Sequence, residues 1–222
     1  MKARPRIRLA LRGAVLAVGL MVASSPSAQH TRLFRPEDLG QLEGPDRDQW
    51  QRPDRIMDAL GIGEGSVVAD LGAGSGWFTI RLAKRVGPNG RVYAEDIQRL
   101  MLQAIERRVH GMGLLNVRTW LGTPHDPQLP PRTMDAVLIV DSYQEVEKPV
   151  VFLRNLAPSL KSAGVIGIVN FTKDGGGPGG PMEDRVDPET VIRSARSAGL
   201  RLAKRENFLK YQYMLVFAAP KR

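Results

Sequence analysis

Two hydrophobic rhythms share this chain. Short, nearly continuous apolar runs end at Leu71, Asp96, Leu121, Asp141 and Phe171, and each reads as a buried strand. Between them, apolar residues recur at four-residue steps. Phe78, Leu82 and Val86 mark one helical face, Met101, Ile105 and Val109 a second, Leu153, Leu156 and Leu160 a third within Pro149 to Leu160. Ahead of the first strand, Trp50 to Leu60 reads as a helix, with Ile56 and Leu60 four apart and Pro53 near its start, where proline is favoured. Arg91 to Asp96 reads as strand two, Asn116 to Leu121 as strand three and Val165 to Phe171 as strand five. A helix carrying Val191, Ile192 and Ala195 follows, and Leu200–Phe208 with Tyr211–Ala219 reads as a closing antiparallel pair. No internal repeat is present.

The most informative stretch is Val67 to Phe78, an apolar run ending in Asp70, then Gly72, Gly74 and Gly76, then a helix start. Glycine lets the backbone take φ > 0 and lie against a ligand, and the free N–H groups of the following helix point at that ligand. A dinucleotide fingerprint, Gly-x-Gly-x-x-Gly, would need its third glycine at position 77 or 79, which are Trp and Thr. A phosphate-binding Gly-Lys-Ser/Thr is also absent. What remains is Asp-x-Gly-x-Gly-x-Gly, which resembles motif I of the class I S-adenosylmethionine-dependent methyltransferases.

That resemblance extends over residues 46–219. It implies an α/β fold, a Rossmann-like three-layer sandwich whose seven-stranded sheet is mostly parallel with the last strand antiparallel. It implies S-adenosylmethionine as cofactor, with Asp70, Gly72, Gly74 and Gly76 at its methionine end. Strand two ends in Glu95-Asp96, and an acid there suits a ribose whose hydroxyls need acceptors. The resemblance gives that role to Asp96, with Glu95 second. Relatives often carry an acid for the adenine amino group where this chain has Thr123, whose hydroxyl can accept one hydrogen bond. Asp135 and the run to Val140 resemble the family's fourth strand, which delivers Asp141-Ser142-Tyr143-Gln144-Glu145. Asp141, Tyr143 and Glu145 are the candidates for the substrate side, as base or orienting groups. In a poorly characterised subgroup of exported bacterial methyltransferase-domain proteins, histidine is usual where Gln144 stands, and glutamine does not titrate. The glycine-rich segment from Asp174 to Pro181 sits where the family often places substrate-contacting loops.

The first 28 residues differ in kind. Lys2, Arg4, Arg6, Arg8 and Arg12 precede an apolar run from Gly13 to Ala23 and then Ser24 to Ala28, the pattern of a secretory signal. The expected organisation is a signal peptide over 1–28, an N-terminal arm over 29–48 and a methyltransferase domain over 49–222. The apolar run is short of the ~20 residues that span a bilayer, so no stable span is expected in the mature chain. The expected location is periplasmic or secreted, with a cytoplasmic chain starting at Met21 or an uncleaved anchor as alternatives. The net charge of +9 falls to +4 once the five basic residues of the signal are removed, and nucleic acid is therefore not an expected partner. There are no cysteines, and His30, His110 and His125 show no metal-ligand spacing, so no metal is expected. The acceptor is expected to be a small molecule. The sequence names neither that acceptor nor the oligomeric state. The alternative is a non-catalytic exported protein that binds S-adenosylmethionine or a related nucleoside on a degenerate methyltransferase fold.

Overall fold

A computed structural model of the chain describes residues 33–35, 40 and 43–219, which all fall in one unit, Thr31–Arg222. The predicted signal and much of the predicted arm lie outside the described residues. The elements run α1 (Arg47–Gln51), α2 (Pro53–Ala59), β1 (Val67–Leu71), α3 (Trp77–Val86), β2 (Arg91–Asp96), α4 (Arg99–Gly111), β3 (Val117–Leu121), β4 (Met134–Val140), α5 (Pro149–Leu156), β5 (Leu160–Phe171), α6 (Pro188–Ser197), β6 (Arg201–Glu206) and β7 (Gln212–Ala218).

The strands form one seven-stranded sheet in the order β3-β2-β1-β4-β5-β7-β6. β1 pairs in parallel with both β2 and β4, and β7 pairs antiparallel with both β5 and β6, so β7 alone runs against the rest. On one face Ile56, Met57, Phe78, Leu82 and Val86 pack with Val68, Leu138 and Met214. Ile105 and Val109 of α4 join Ala94 and Ile80 on that side. On the other face Phe152, Leu153, Val191 and Ile192 meet Ile139, Ile168 and Leu215. These strands are buried from both sides, which is why they read as continuous apolar runs.

Asp135 fixes the other end of the sheet. Its carboxylate accepts the Val67 N–H at 2.9 Å and pairs with Lys161 at 2.7 Å, so the starts of β1, β4 and β5 are held together.

Several boundaries differ from the sequence reading. The helix expected over Trp50 to Leu60 is two helices, broken at Arg52 with φ of 48°. The residue before a proline is pushed out of the α region, and Pro53 starts the second helix. The first helix also begins inside the segment read as an arm. The helix expected to reach Leu160 stops at Leu156 and gives way to a 3-10 turn containing Pro158. β5 therefore begins at Leu160, which pairs with Met134. Among the described residues no helix is long and apolar enough to cross a membrane.

Leu138 is fully buried, whereas Leu115 is 90% exposed. Leu138→Ala should cost about 2–5 kcal/mol of stability by leaving a cavity. Leu115→Ala should stay within about 0.5 kcal/mol. Urea unfolding monitored by circular dichroism checks both.

Candidate active site

The carboxyl end of β1 turns through Gly72, Gly74 and Gly76, which all have positive φ, at 64°, 53° and 78°. At Gly72 a Cβ would come within 2.6 Å of the Ser142 side chain, whose hydroxyl donates to the Leu71 carbonyl at 3.1 Å. Only glycine therefore allows the β1 and β4 ends to lie this close. Ser75 in the same turn has a buried hydroxyl without a hydrogen-bond partner. Trp77, which breaks the dinucleotide pattern, is the first residue of α3 and carries the Arg81 guanidinium 3.5 Å from its ring centroid.

Two acids end β2 and point to opposite faces of the sheet, as successive strand residues must. The Asp96 carboxylate accepts the N–H of Gly74 at 3.1 Å and of Gln98 at 2.9 Å, which fixes it beside the glycine turn. Burial raises its pKa, and these backbone donors oppose the shift. The Glu95 carboxylate receives only a long bond of 3.4 Å from the Gly72 N–H. Its Oε1 is buried without a partner, 1.7 Å from where a Gly122 Cβ would stand. Burial, and then the neighbouring Asp96, push its pKa up to about 8.

A polar chain crosses from β4 to the N-terminal helix. Asp141 sits at the end of β4 with φ of 51°, a left-handed conformation that aspartate tolerates better than most residues. Its carboxylate accepts the Gln212 amide at 2.7 Å, the Gln212 carbonyl accepts the Gln51 amide at 2.6 Å, and the Gln51 carbonyl accepts Arg47 Nε at 3.0 Å. Arg47 also lies 4.2 Å from the Trp77 ring centroid, and its charge acts on both Asp141 and Asp70. Burial raises Asp141 to about 7 against the pull of Arg47 and Gln212. It raises Asp70 to about 6 against the Thr79 hydroxyl, which donates to it at 2.6 Å, and against Arg47. The charge of Arg47 thus acts on the acids at the ends of both β1 and β4.

The remaining candidates are distributed differently. Tyr143 is 3% exposed and packs in the core with Tyr213, Phe152 and Ile192, on the α5–α6 side of the sheet. Gln144 turns its amide back onto the Asp141 carbonyl at 2.5 Å. Glu145 is half-buried with its pKa pushed up to about 7, by burial first and then by Asp96. The Thr123 hydroxyl is engaged within its own turn, where it accepts the Asp126 N–H at 3.1 Å and donates to the Asp126 carbonyl at 3.0 Å. Asp70, Asp96, Asp141, Glu145 and the three glycines thus gather at the carboxyl ends of β1, β2 and β4, and Tyr143 lies in the core beneath.

Comparison with known proteins is consistent with this geometry. A methyltransferase-domain family model matches residues 68–164. A solved S-adenosylmethionine-dependent methyltransferase from Aquifex aeolicus is 28% identical, covers 83% of this chain and 98% of its own, and superposes with a TM-score of 0.79. The chain carries a class I S-adenosylmethionine-dependent methyltransferase domain. A ubiquinone/menaquinone biosynthesis C-methyltransferase from Pasteurella multocida is 30% identical over 56% of this chain and 46% of its own. The chain spans about half the length of the curated relatives it matches. The solved [4+2]-cyclase SpnF, 16% identical over 77% of this chain and 80% of its own with a TM-score of 0.64, shares the fold alone.

The methyltransferase domain's own residues fit its cofactor. The glycine turn allows close backbone approach, Ser75 offers an unpartnered buried hydroxyl, and Asp96 is fixed where ribose hydroxyls need acceptors. Arg47, Gln51 and Gln212 escaped the sequence reading. The one local signal was the four-residue spacing of Arg47 and Gln51 on one helical face, and Gln212 lies 161 residues from Gln51. Among the described residues no cluster could hold a metal ion.

The raised carboxyls bear on stability. Folded Glu95 keeps a proton up to about pH 8, whereas the unfolded chain releases it near its ordinary value of 4.5. The folded state therefore binds more protons in that interval, and stability falls as pH rises through it. Asp70 and Asp141 act with the same sign. Glu95→Gln should lose less stability than the wild type between about pH 5 and 8, read from urea midpoints at both ends.

Proposed function

We propose that this chain transfers a methyl group from S-adenosylmethionine to a small-molecule acceptor bound at the carboxyl ends of β1 and β4. The cofactor supplies a methyl already activated on a sulfonium, so the protein's contribution is orientation and electrostatics. In this reading Asp96 accepts the ribose hydroxyls, and Gly72, Gly74 and Gly76 leave room for the methionine end beside Asp70. Thr123 lies near adenine, which its backbone and remaining lone pair would meet because its hydroxyl proton is already engaged.

Asp141 carries the catalytic part. A general base works best with a pKa near the working pH, and Asp141 is held at about 7. Gln212 and the charge of Arg47 favour its ionised form, the one that can accept a proton. Tyr143 supports the strand end from the core, since its ring is packed among apolar side chains. A small acceptor is favoured because the basic residues on the outer face of α3 are engaged by acids. Arg81 pairs with Asp48 at 2.6 Å, and Arg85 pairs with Asp54 at 3.0 Å and Asp58 at 2.6 Å, leaving no free basic stripe there for a phosphate backbone.

The second reading, a non-catalytic binding protein, draws on the locked Thr123 hydroxyl and on Gln144, which is tied to the Asp141 carbonyl and cannot titrate. Export through residues 1–28 accompanies either reading. Amino-terminal sequencing of protein from cell fractions tests it, and an intact Met1 or Met21 in the cytosol would sink it.

Calorimetric titration with S-adenosylmethionine and S-adenosylhomocysteine tests the site. Asp96→Ala should weaken both by roughly 10–100-fold, the loss of a charged hydrogen-bond acceptor. Binding that is unchanged in Asp96→Ala, or absent in the wild type at millimolar ligand, would refute the assignment. Binding with no transfer in an acceptor screen, and no difference between wild type and Asp141→Asn, would leave the binding-protein reading.

A further inference from the structure

Two separate sets of contacts carry one cation to the ends of β1 and β4. From the β4 side, hydrogen bonds run from Asp141 through Gln212 and Gln51 to Arg47 Nε. From the β1 side, the Arg47 guanidinium lies 4.2 Å from the ring centroid of Trp77, the residue that follows Gly76. Two residues further along α3, the Thr79 hydroxyl donates to the Asp70 carboxylate at 2.6 Å. Arg47 is therefore fixed beside the glycine turn.

The helix that bears it is docked at the same place. Asp48, next in α1, accepts Nε and Nη2 of Arg81 at 3.0 and 2.6 Å. Arg81 in turn lies 3.5 Å from the centroid of the same Trp77 ring and donates to the Trp77 carbonyl at 3.0 Å. Arg47 Nε is held by the neutral Gln51 amide, which orients the guanidinium without bringing a charge of its own. Burial works against the charge on Arg47, and Asp141 and Asp70 sustain it.

A half-buried guanidinium oriented by an amide and backed by an aromatic ring is suited to a carboxylate, which it meets with two parallel N–H groups. The cofactor assigned to this site carries one. Its methionine end is an amino acid with an α-carboxylate and an α-ammonium, and the acids at the ends of β1 and β4 suit the ammonium.

We propose that Arg47 binds the α-carboxylate of the cofactor's methionine end, and so makes the site selective for nucleosides that carry an amino acid. The proposal rests on the cofactor assignment above. Gln51 and Trp77 are positioning residues, the first holding Nε and the second the face of the guanidinium.

The test is calorimetric titration of the full chain with S-adenosylhomocysteine and with 5′-methylthioadenosine, which keeps the nucleoside and lacks the amino acid. The wild type should prefer S-adenosylhomocysteine by roughly 10–100-fold, as expected of hydrogen bonds to a charged group. Arg47→Gln should lose most of that preference and bind 5′-methylthioadenosine as the wild type does. Arg47→Lys keeps the charge without the planar fork, and should retain part of the preference. Binding of 5′-methylthioadenosine in the same samples shows that the variants are folded. Should Arg47→Gln not fold, decarboxylated S-adenosylmethionine makes the same test on the wild type. It should bind more weakly than S-adenosylmethionine by a similar factor, and equal binding overturns the proposal. Equal loss of both ligands in Arg47→Gln would make Arg47 part of the scaffold only, and overturns it too. So does a wild type that binds S-adenosylhomocysteine and 5′-methylthioadenosine alike, which leaves the nucleoside site intact. A wild type that binds neither removes the cofactor reading and this inference together.

Discussion

The parallel pairing of β1 with β4 is the constraint on which the site depends. β1 lies between β2 and β4, and its connection through α3 leads to β2 on one side while β4 closes the other. Loops leaving the two neighbouring strands therefore diverge, and a crevice opens at their carboxyl ends, where open α/β sheets bind ligands. The pair is secured at its start by Asp135, which accepts the Val67 N–H, and at its end by Ser142, which donates to the Leu71 carbonyl. Gly72 allows that closeness, because any side chain there would strike Ser142.

Charge in this crevice is concentrated and sparingly compensated. Asp70, Glu95, Asp96, Asp141 and Glu145 all have raised pKa values, with burial as the first cause of each. Such a collection costs folding free energy as it ionises, and it persists where function calls for it. The compensation is specific. Arg47 reaches in from α1 and acts on Asp70 and Asp141, while backbone donors of the glycine turn serve Asp96 and Glu95. The N-terminal region thus belongs to the site through Arg47. Fold alone does not name the reaction. A [4+2]-cyclase shares this architecture, so the case for methyl transfer rests on these residues.

Much of this was legible in the chain itself. The ends of β1, β2 and β4 announced themselves because their apolar runs reach acids, and the glycine turn because three glycines at alternate positions have few other uses. β2 from Arg91 to Asp96 was readable to the residue, since both of its ends are marked by a change from apolar to charged side chains. The break at Arg52 was less visible, because a proline at a helix start and a proline that splits a helix look alike until packing selects one.

The sequence by itself determined the order of elements, the glycine turn and the acids at strand ends, because these depend on local periodicity and on the conformations single residues can take. Only the tertiary structure decided which of those acids share a crevice. Asp141 is tied to Gln212 and then to Gln51 by hydrogen bonds across 71 and 161 residues of chain, and Phe34 meets Gln98 across 64. Local pattern carries no information on such partners, since they are brought together by strand order. The same reason placed Tyr143 in the core and Glu145 at the cleft, two residues apart in one 3-10 turn whose successive side chains point in different directions.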